Sequence, residues 1–358
     1  MWNLTYAYVF IFALISSLII IGQTRKLAIR FNIVDVPDSR RKIHTVSMPL
    51  LGGVGMYTAF IFTIGLNLAA VYLMKDSGIL PDSISLYIKG ITARMPQIFA
   101  IAFTVLGMVI LGTVDDVKRL SAKVKLAFQI ALALIVFFSG IRVSLFIPNY
   151  FISALLTVGW IVGITNAYNL LDNMDGLSCG TALISSLIFF LVAFSHAHFF
   201  VATILACFAG VLLGFLFFNF PPARMFMGDA GSLFIGYTLS LLTILNTFYT
   251  PDASLTPAPI IMPVLILLVP IFDTLSVICI RIRNKVSIFT PDKNHFSHRL
   301  VNRGMSAKQA VLFIYLVSFC LGLGAFLLTY LDKKGCMIVL LQAACILAII
   351  VLLERESH

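Results

Sequence analysis

Apolar runs long enough to cross a membrane recur from one end of this 358-residue chain to the other. An α-helix needs about 20 predominantly apolar residues to span the hydrocarbon core of a bilayer. The chain is 60% hydrophobic and 11% charged, whereas soluble globular proteins carry roughly 25% charged residues. No polar insert between the runs is long enough to fold alone. The sequence therefore predicts an all-α polytopic membrane protein with one integral membrane domain over 1–358.

The apolar pattern predicts eleven transmembrane helices, with ten as the alternative count. Their expected bounds are about 4–22, 49–74, 96–114, 123–140, 151–168, 178–195, 198–219, 230–248, 258–282, 309–330 and 335–353. No Lys or Arg precedes the first run, whereas a signal peptide would begin with a basic segment. We therefore expect the first run to be a retained helix.

The positions of Lys and Arg predict the orientation of these helices. With the N-terminus outside, cytoplasmic segments carry 19 of the 25 Lys and Arg residues, as the positive-inside rule requires. Most of the aspartates fall on the same side. The cytoplasmic ones are Asp35, Asp38, Asp115, Asp116, Asp172, Asp175, Asp229 and Asp292, with Asp273 inside the ninth helix toward that side. We therefore expect a shared polar site at the cytoplasmic face.

Two of the polar segments follow apolar runs. In LGTVDDVKRL, Asp115 and Asp116 end the third helix, and neighbours on a helix point about 100° apart, so we expect different partners for the two carboxylates. The alternative is a solvated helix end paired with Lys118 or Arg119.

The segment NAYNLLDNMDGLSCG places three amides at i, i+3 and i+7, namely Asn166, Asn169 and Asn173. If the fifth helix continues to Gly176, these amides share one face and could hydrogen-bond a uracil-like base or a sugar hydroxyl. Hydrogen bonding between membrane helices is the alternative.

Two further segments carry polar groups. In FNFPPARMFMGDAGSLFIG, Asn219 and Asp229 flank a Pro-Pro turn, and N-capping of the eighth helix is the alternative role for Asp229. The segment RIRNKVSIFTPDKNHFSHRLVNRGMS brings His295, His298 and Arg299 together in a basic loop. Contact with lipid headgroups is the alternative for that loop.

This set of side chains favours magnesium chemistry on phosphates. Carboxylates without Cys ligands suit Mg²⁺, or else Mn²⁺, rather than zinc. Basic loops attract phosphate groups, and phosphoryl transfer requires mainly positioning and neutralisation of charge. The residues alone therefore indicate a Mg²⁺-dependent enzyme that acts on a cytosolic phosphate or nucleotide substrate at the membrane surface.

In their order along the chain, these motifs resemble those of the polyprenyl-phosphate N-acetylhexosamine-1-phosphate transferase family. The resemblance runs from RRKIHTVSMPLLGG at 40–53, through LGTVDDVKRLSAKVKLAFQ, NAYNLLDNMDGL, FMGDAGS and VPIFD, to HFSHRLVNRGMS at 295–306. It implies transfer of a sugar 1-phosphate from a UDP-N-acetylhexosamine to undecaprenyl phosphate, with release of UMP. The product, a lipid-linked pyrophosphate sugar, would begin the synthesis of a cell-envelope polysaccharide such as teichoic acid, lipopolysaccharide or O-antigen.

The resemblance also implies roles for individual residues. Asp229, with Asp115, matches the metal site, and the pair Asp115 and Asp116 matches catalytic aspartates at the lipid phosphate. His298 matches a catalytic position in the loop over the pyrophosphate and sugar. The residues implied in substrate binding are His44, Lys125, Asn169, Asp172, Asp175, Asn219, His295 and Arg299.

Two departures from the family pattern bear on the sugar. The muramoyl-pentapeptide branch has three consecutive His followed by an acid, whereas this chain has His295-Phe-Ser-His298-Arg. The resemblance therefore favours the amino-sugar branch and N-acetylglucosamine, with a muramoyl-pentapeptide substrate as the alternative. The amino-sugar branch often has His-x-His-His, so Ser297 replaces a His here.

For the mechanism, single displacement by the lipid phosphate is favoured over a covalent phosphosugar on an Asp. The expected setting is a bacterial plasma membrane, with no nucleic-acid partner and with a homodimer left open.

Two other classes of membrane protein share single features with this sequence. A secondary transporter would place charged residues in broken helices near the bilayer midplane, and only Asp273, near Pro263 and Pro270, lies that deep. A CDP-alcohol phosphatidyltransferase signature starts with Asp-x-x-Asp-Gly, which 172–176 matches. The Ala-Arg that should follow is replaced by Leu-Ser at 177–178, so this rival is rejected.

Overall fold

The structure, a computed structural model, describes residues 2–35, 47–74, 90, 92, 94–143, 149–246, 248–249, 255–288 and 294–355. Most of these residues, 81%, are helical. The helices are α1 Trp2–Arg30, α2 Gly52–Met74, α3 Met95–Lys118, α4 Ala122–Phe138, α5 Tyr150–Leu171, α6 Leu177–Ser195, α7 Phe199–Asn219, α8 Gly228–Leu245, a 3-10 turn Ala258–Ile261, α9 Met262–Ile266, α10 Leu268–Arg283, α11 Phe296–Asn302, α12 Ala307–Leu327 and α13 Lys333–Arg355. Two short strands, β1 Val34–Asp35 and β2 Met48–Pro49, pair antiparallel with Val34 opposite Pro49.

The prediction of an all-α polytopic membrane protein is confirmed. Within the described ranges, nine helices are long and apolar enough to cross a membrane, or ten if the bent pair at 258–283 is one span. Each of the eleven predicted segments overlaps a helix. The fourth, α4, has 17 residues and is shorter than those nine.

The ninth predicted segment, 258–282, is wrong as a single helix. Its two halves meet at an angle of 68° after Ile266. Pro270 has no backbone N–H to donate to the carbonyl of Ile266, and its ring crowds that carbonyl, so a continuous helix is disfavoured here. Pro263 instead occupies the first turn of α9, where a missing N–H is tolerated.

Helix α8 forms the centre of the bundle. Every residue from Ala230 to Thr243 is buried, and α2, α3, α5, α6 and α7 pack around it. The outer helices turn large apolar side chains outward, as a lipid environment requires. Phe99, Phe103, Leu155 and Leu341 are each more than half exposed.

The two ends of the bundle differ in their connections. At one end, the ring of Trp2 stacks on that of Phe199 at the start of α7, with centroids 4.6 Å apart. At the other end, the loops form hydrogen bonds with each other. The N–H of Gly52 donates to the carbonyl of Phe226 (3.1 Å), and the N–H of Phe226 donates to the carbonyl of Pro49 (2.9 Å). We call this second end, with its segments 47–52, 118–122, 171–177 and 219–228, the site end.

Glycines allow α2 and α3 to touch the first turn of α8. A Cβ added at Gly112 in α3 would lie 2.4 Å from the Cα of Ala230, and one added at Gly53 in α2 would lie 2.1 Å from the backbone N of Gly231. Because real Cβ atoms do not approach backbone so closely, only glycine fits these positions. The end of α3 is thereby held against the start of α8.

Candidate active site

Asp116, near the end of α3, caps the N-terminus of α8. Its Oδ1 accepts from the backbone N–H of Asp229 (2.7 Å) and its Oδ2 from that of Ala230 (3.3 Å). A carboxylate at a helix N-terminus satisfies free N–H groups and favours the helix dipole. Gly228, the first residue of α8, has φ +66°, a backbone conformation in which residues other than glycine are disfavoured. The capping role proposed for Asp229 is therefore performed by Asp116, and the side chain of Asp229 is left for other contacts.

Lys125, in the first turn of α4, joins two carboxylates. Its Nζ lies 2.5 Å from Oδ2 of Asp115 and 3.5 Å from Oδ2 of Asp229. Oδ1 of Asp115 accepts from the backbone N–H of Leu120 (2.6 Å). Asp115 and Asp116 thus have different partners, as predicted, and Asp115 pairs with Lys125 rather than with the adjacent Lys118 or Arg119.

Asn169 positions the other oxygen of Asp229. Its Nδ2 donates to Oδ1 of Asp229 and to Oγ of Ser232, each at 2.8 Å. The side chain of Asp229 is 35% exposed, against 4% for Asp115. Asp229 is therefore held from both sides and still open to solvent, as a carboxylate that meets a ligand must be.

The predicted shared face of Asn166, Asn169 and Asn173 is wrong, because α5 ends at Leu171 rather than at Gly176. The side chain of Asn173 donates to the carbonyl of Leu170 (2.9 Å), which competes with continuation of the helix. Gly176, at φ +73°, precedes the first residue of α6. Asn166 forms a reciprocal amide pair with Gln129 of α4, so for this residue the helix–helix alternative holds.

Asp172 lies in the turn between α5 and α6, close to the other carboxylates. Asp172 is partly exposed, but protein atoms surround its carboxyl group and raise its pKa well above the ordinary value for Asp, and repulsion from Asp229, Asp116 and Asp175 raises it further. Asp115, by contrast, has the ammonium group of Lys125 beside it. The site end thus gathers five carboxylates, two of which contact Lys125, and this excess of negative charge suits a bound cation.

Asn219 and Asp175 connect two turns at the site end. The amide of Asn219 accepts from the N–H of Gly176 and donates to the carbonyl of Met225, both at 3.0 Å, and this side chain is buried. Oδ2 of Asp175 accepts from the N–H of Ala223 (2.9 Å). These contacts fix the position of the 172–176 turn, and substrate binding by either residue stays a prediction.

The predicted histidine loop forms the short helix α11. His295 is buried, and its Nδ1 lies 2.8 Å from Oδ2 of Asp273 in α10. Arg299 donates to the carbonyl of Asn294 (2.6 Å) and to Oγ of Ser276 (3.0 Å). His298 is partly exposed, with its ring 6.4 Å from that of His295. This exposure is compatible with the predicted contact between His298 and substrate. His295 is buried and bonded to Asp273, and its contact with substrate stays a prediction.

Sequence reasoning missed two residues that shape this end, Gln129 and Ser297. Gln129 lies four residues after Lys125 and therefore on the same face of α4. This spacing is the signal by which the sequence could have indicated it. Ser297, seen in the sequence only as a replaced His, donates to Oδ1 of Asn173 (2.5 Å), a contact that no spacing rule reveals. His44 lies outside the described residues.

The residues present fit a magnesium ion held by few protein ligands. No group of three or more His, Cys, Asp or Glu in the described part of the chain is arranged to hold a metal. Mg²⁺ usually binds through one or two carboxylates and completes its octahedron with water and substrate phosphates. Asp229 and Asp172 are partly exposed and meet that requirement. Both oxygens of Asp115 already accept hydrogen bonds, so its role as a metal ligand stays a prediction.

Comparisons with known proteins identify the family of this chain. The family described as "Glycosyl transferase family 4" matches residues 98–247, from α3 to beyond the end of α8. The "Probable undecaprenyl-phosphate N-acetylglucosaminyl 1-phosphate transferase" of Bacillus subtilis (strain 168) is 37% identical over 327 residues, which covers 89% of this chain and 84% of the relative.

Two further relatives are similar over most of their length. The "Decaprenyl-phosphate N-acetylglucosaminephosphotransferase" of Mycolicibacterium smegmatis is 33% identical, with 93% of this chain and 84% of the relative covered. The "Undecaprenyl-phosphate alpha-N-acetylglucosaminyl 1-phosphate transferase" of Escherichia coli (strain K12) is 25% identical, with 82% and 76% covered. The chain therefore belongs to glycosyl transferase family 4, among the polyprenyl-phosphate N-acetylhexosamine-1-phosphate transferases that its motifs resemble, and is a glycosyl-1-phosphate transferase.

Proposed function

We propose that this enzyme transfers N-acetylglucosamine 1-phosphate from UDP-N-acetylglucosamine to undecaprenyl phosphate with the help of Mg²⁺ and releases UMP. One observation carries the proposal: at one end of a membrane bundle, Asp229 is bound by Asn169 and Lys125 yet open to solvent, beside Asp116 and Asp172. The names of the Bacillus subtilis and Escherichia coli relatives support the lipid and the sugar.

We further propose that the chain crosses a bacterial plasma membrane eleven times, with its N-terminus outside and its site end in the cytoplasm. Helix α4 supports the eleventh crossing. Its first turn, which contains Lys125, lies at the site end. Near its other end, the ring of Phe137 packs on that of Tyr150 at the start of α5, with centroids 4.8 Å apart. The two ends of α4 therefore lie at opposite ends of the bundle. The excess of Lys and Arg in the predicted cytoplasmic segments, 19 of 25, supports the orientation.

In this proposal, each side chain has a defined task. Asp229 and Asp172 would hold Mg²⁺, which when bound neutralises charge on the pyrophosphate of the donor. Asn169 fixes the carboxylate of Asp229, and Lys125 offsets the negative charge of Asp115 and Asp229. Asp116 holds the start of α8, and His298 faces the donor from α11.

The hydrogen bonds of the aspartate pair favour single displacement. A phosphomonoester has a second pKa of about 6, so the lipid phosphate is mostly dianionic near neutral pH and needs little help from a base. All four carboxylate oxygens of Asp115 and Asp116 already accept hydrogen bonds. A role in orientation therefore fits these residues better than nucleophilic attack. A phosphosugar trapped on the protein without lipid acceptor would overturn this mechanism.

The test uses the full-length protein in detergent with undecaprenyl phosphate and a panel of UDP-sugars. We expect UMP release and lipid labelling that require the lipid, prefer UDP-N-acetylglucosamine and stop with EDTA. Asp229→Asn should abolish both signals, while Asp332→Asn, at the far end of the bundle, should leave them unchanged. UMP release from a UDP-muramoyl-pentapeptide and from no other donor would assign the enzyme to the muramoyl-pentapeptide branch. No release with any donor would contradict the proposed function.

A further inference from the structure

Helix α11 has seven residues, too few to be stable without tertiary contacts. It carries His298, and its position at the site end therefore depends on whatever fixes it to the rest of the molecule. Polar contacts with α10 and with the turn after α5 do so, together with apolar packing on α10 and α12.

The contacts with α10 centre on Asp273, which is 1% exposed. Its Oδ1 accepts from the backbone N–H of Phe296 (2.6 Å), the first residue of α11, and its Oδ2 accepts from Nδ1 of His295 (2.8 Å). One buried carboxylate thus satisfies the helix terminus and fixes the proton of His295 on Nδ1. Both Asp273 and His295 are buried.

The contacts with the turn after α5 lead to the carboxylate cluster. Oγ of Ser297 donates to Oδ1 of Asn173. Ser297 directly precedes His298, and Asn173 directly follows Asp172. This hydrogen bond therefore links the backbone that carries His298 to the backbone that carries Asp172.

Apolar packing restricts rotation of α11 about its own axis. Phe296 is buried, with its ring 6.0 Å from that of Phe272 in α10 and 6.5 Å from that of Phe313 in α12, both edge-on. Rotation of the helix would expose this ring. The polar contacts of Asp273 and Ser297 then determine where along α10 the helix sits.

We propose that Asp273 is a positioning residue of the transfer reaction, acting through His295 and α11 to place His298 over the donor. This inference rests on the proposed function, since it assumes that His298 acts on the donor. Asp273 itself does not touch substrate. Its effect is on the geometry reached in the transition state, so its loss should lower kcat and leave the KM for the UDP-sugar nearly unchanged.

Asp273→Asn separates the positioning role from simple helix capping. An Asn oxygen can still accept from the N–H of Phe296, but its amide nitrogen cannot accept the proton of His295 Nδ1. We expect kcat to fall about tenfold to a hundredfold, because a displacement of a functional group by about 1 Å can cost up to about a hundredfold in rate. Asp273→Glu keeps both acceptors and should recover part of that loss.

The matched control is Asp332→Asn. Asp332 also accepts from a backbone N–H at a helix start, that of Gly335 (2.8 Å), but at the far end of the bundle. Its kcat and KM should match those of the wild type. Hydrogen exchange gives a readout independent of activity: in Asp273→Ala, the amides of 296–302 should exchange faster, while those of α8 should not change.

The outcomes separate this inference from the proposed function. If the wild type transfers no sugar phosphate, the proposed function fails, whereas α11 can still be tested by hydrogen exchange. If the wild type is active and Asp273→Asn keeps its kcat within about twofold, the positioning role is overturned. It is equally overturned if KM rises and kcat does not, because Asp273 would then serve only ground-state binding.

Discussion

Two aspartates at the site end perform the same local task in different surroundings. Asp116 caps α8, and Asp273 caps α11. The helix that Asp116 caps has 18 residues, and Gly53 and Gly112 allow neighbouring backbones to contact its first turn. The helix that Asp273 caps has seven residues and depends on side-chain hydrogen bonds. We call the start of α8 the packed half of the site, because close backbone contacts hold it, and α11 the hydrogen-bonded half, because side-chain hydrogen bonds add to the packing of Phe296 there. The hydrogen-bonded half should move more easily when a substrate binds.

The largest effect should come from Gly112→Ala, which attacks the packed half directly. The new methyl group would lie 2.4 Å from the Cα and the backbone N of Ala230, and no side-chain rotation relieves a contact with backbone. Overpacking of this kind costs about 1–3 kcal/mol or more, and separation of α3 from α8 by about 1 Å should cost activity about a hundredfold. Thermal unfolding and UMP release in detergent measure both.

Gly163→Ala is the control for this substitution, because a Cβ at Gly163 in α5 meets nothing within 4 Å. It should leave both measurements unchanged. If Gly112→Ala behaves like this control, close packing does not fix the distance between the aspartate pair and Asp229, and the contrast between the two halves disappears.

The next effect should come from Lys125→Met, which removes the positive charge between Asp115 and Asp229. Asp115 is buried but keeps its hydrogen bond from the N–H of Leu120, so the loss of its charged partner should destabilise the protein by about 1–3 kcal/mol. We expect a lower unfolding temperature and a loss of transfer activity. Lys118→Met is the matched control, because Lys118 is exposed, and both quantities should stay at the wild-type level. Equal loss in both variants would mean that net positive charge at this end matters, rather than the contact of Lys125 with Asp115.

A pH dependence should follow from the raised pKa of Asp172. Because the folded protein holds this proton more tightly than the unfolded chain, the resulting stability is present below the ordinary pKa of Asp. It is lost as pH rises through the raised pKa. In EDTA, the unfolding temperature should therefore decrease as pH rises above about 4, the ordinary pKa of an Asp side chain.

Asp172→Asn should weaken this pH dependence, because the amide at 172 does not titrate while the neighbouring carboxylates still do. Mg²⁺ should restore stability at the higher pH values, since a cation bound at the cluster favours the ionised carboxylate. A wild-type profile that is unchanged by both the substitution and Mg²⁺ would show that Asp172 is not part of a cation site.

The packed half of the site was easier to predict from the sequence than the hydrogen-bonded half. The apolar runs predicted every long helix, and adjacent carboxylates in one helix predicted different partners for Asp115 and Asp116. No local pattern, however, indicates that Asp116 caps a helix 113 residues later in the chain. The same holds for Ser297 and Asn173, which lie 124 residues apart.

Local signals also misled where two of them competed. The spacing of Asn166, Asn169 and Asn173 favoured one continuous helical face, but Asn173 bonds to the carbonyl of Leu170 and the helix ends first. Pro270 in the sequence indicates that a helix bends or breaks near Ile266. The size of the angle, however, depends on packing. Tertiary contacts thus decide the geometry of the site, while the sequence decides which helices take part in it.

The smallest effect should come from Asn173→Ala, in the hydrogen-bonded half. It removes the acceptor of Ser297, and a hydrogen bond of this kind contributes about 0.5–1.5 kcal/mol. Because Ser297 is 1% exposed, its hydroxyl would find no water easily, so the cost should be at the upper end of that range. Ser297→Ala removes the donor as well and should cost no more in combination with Asn173→Ala than alone. Denaturant unfolding of the two single variants and the double variant measures this coupling. Strict additivity would show that the two side chains do not act as a pair, and α11 would then be fixed by Asp273 and Phe296 without help from the turn after α5.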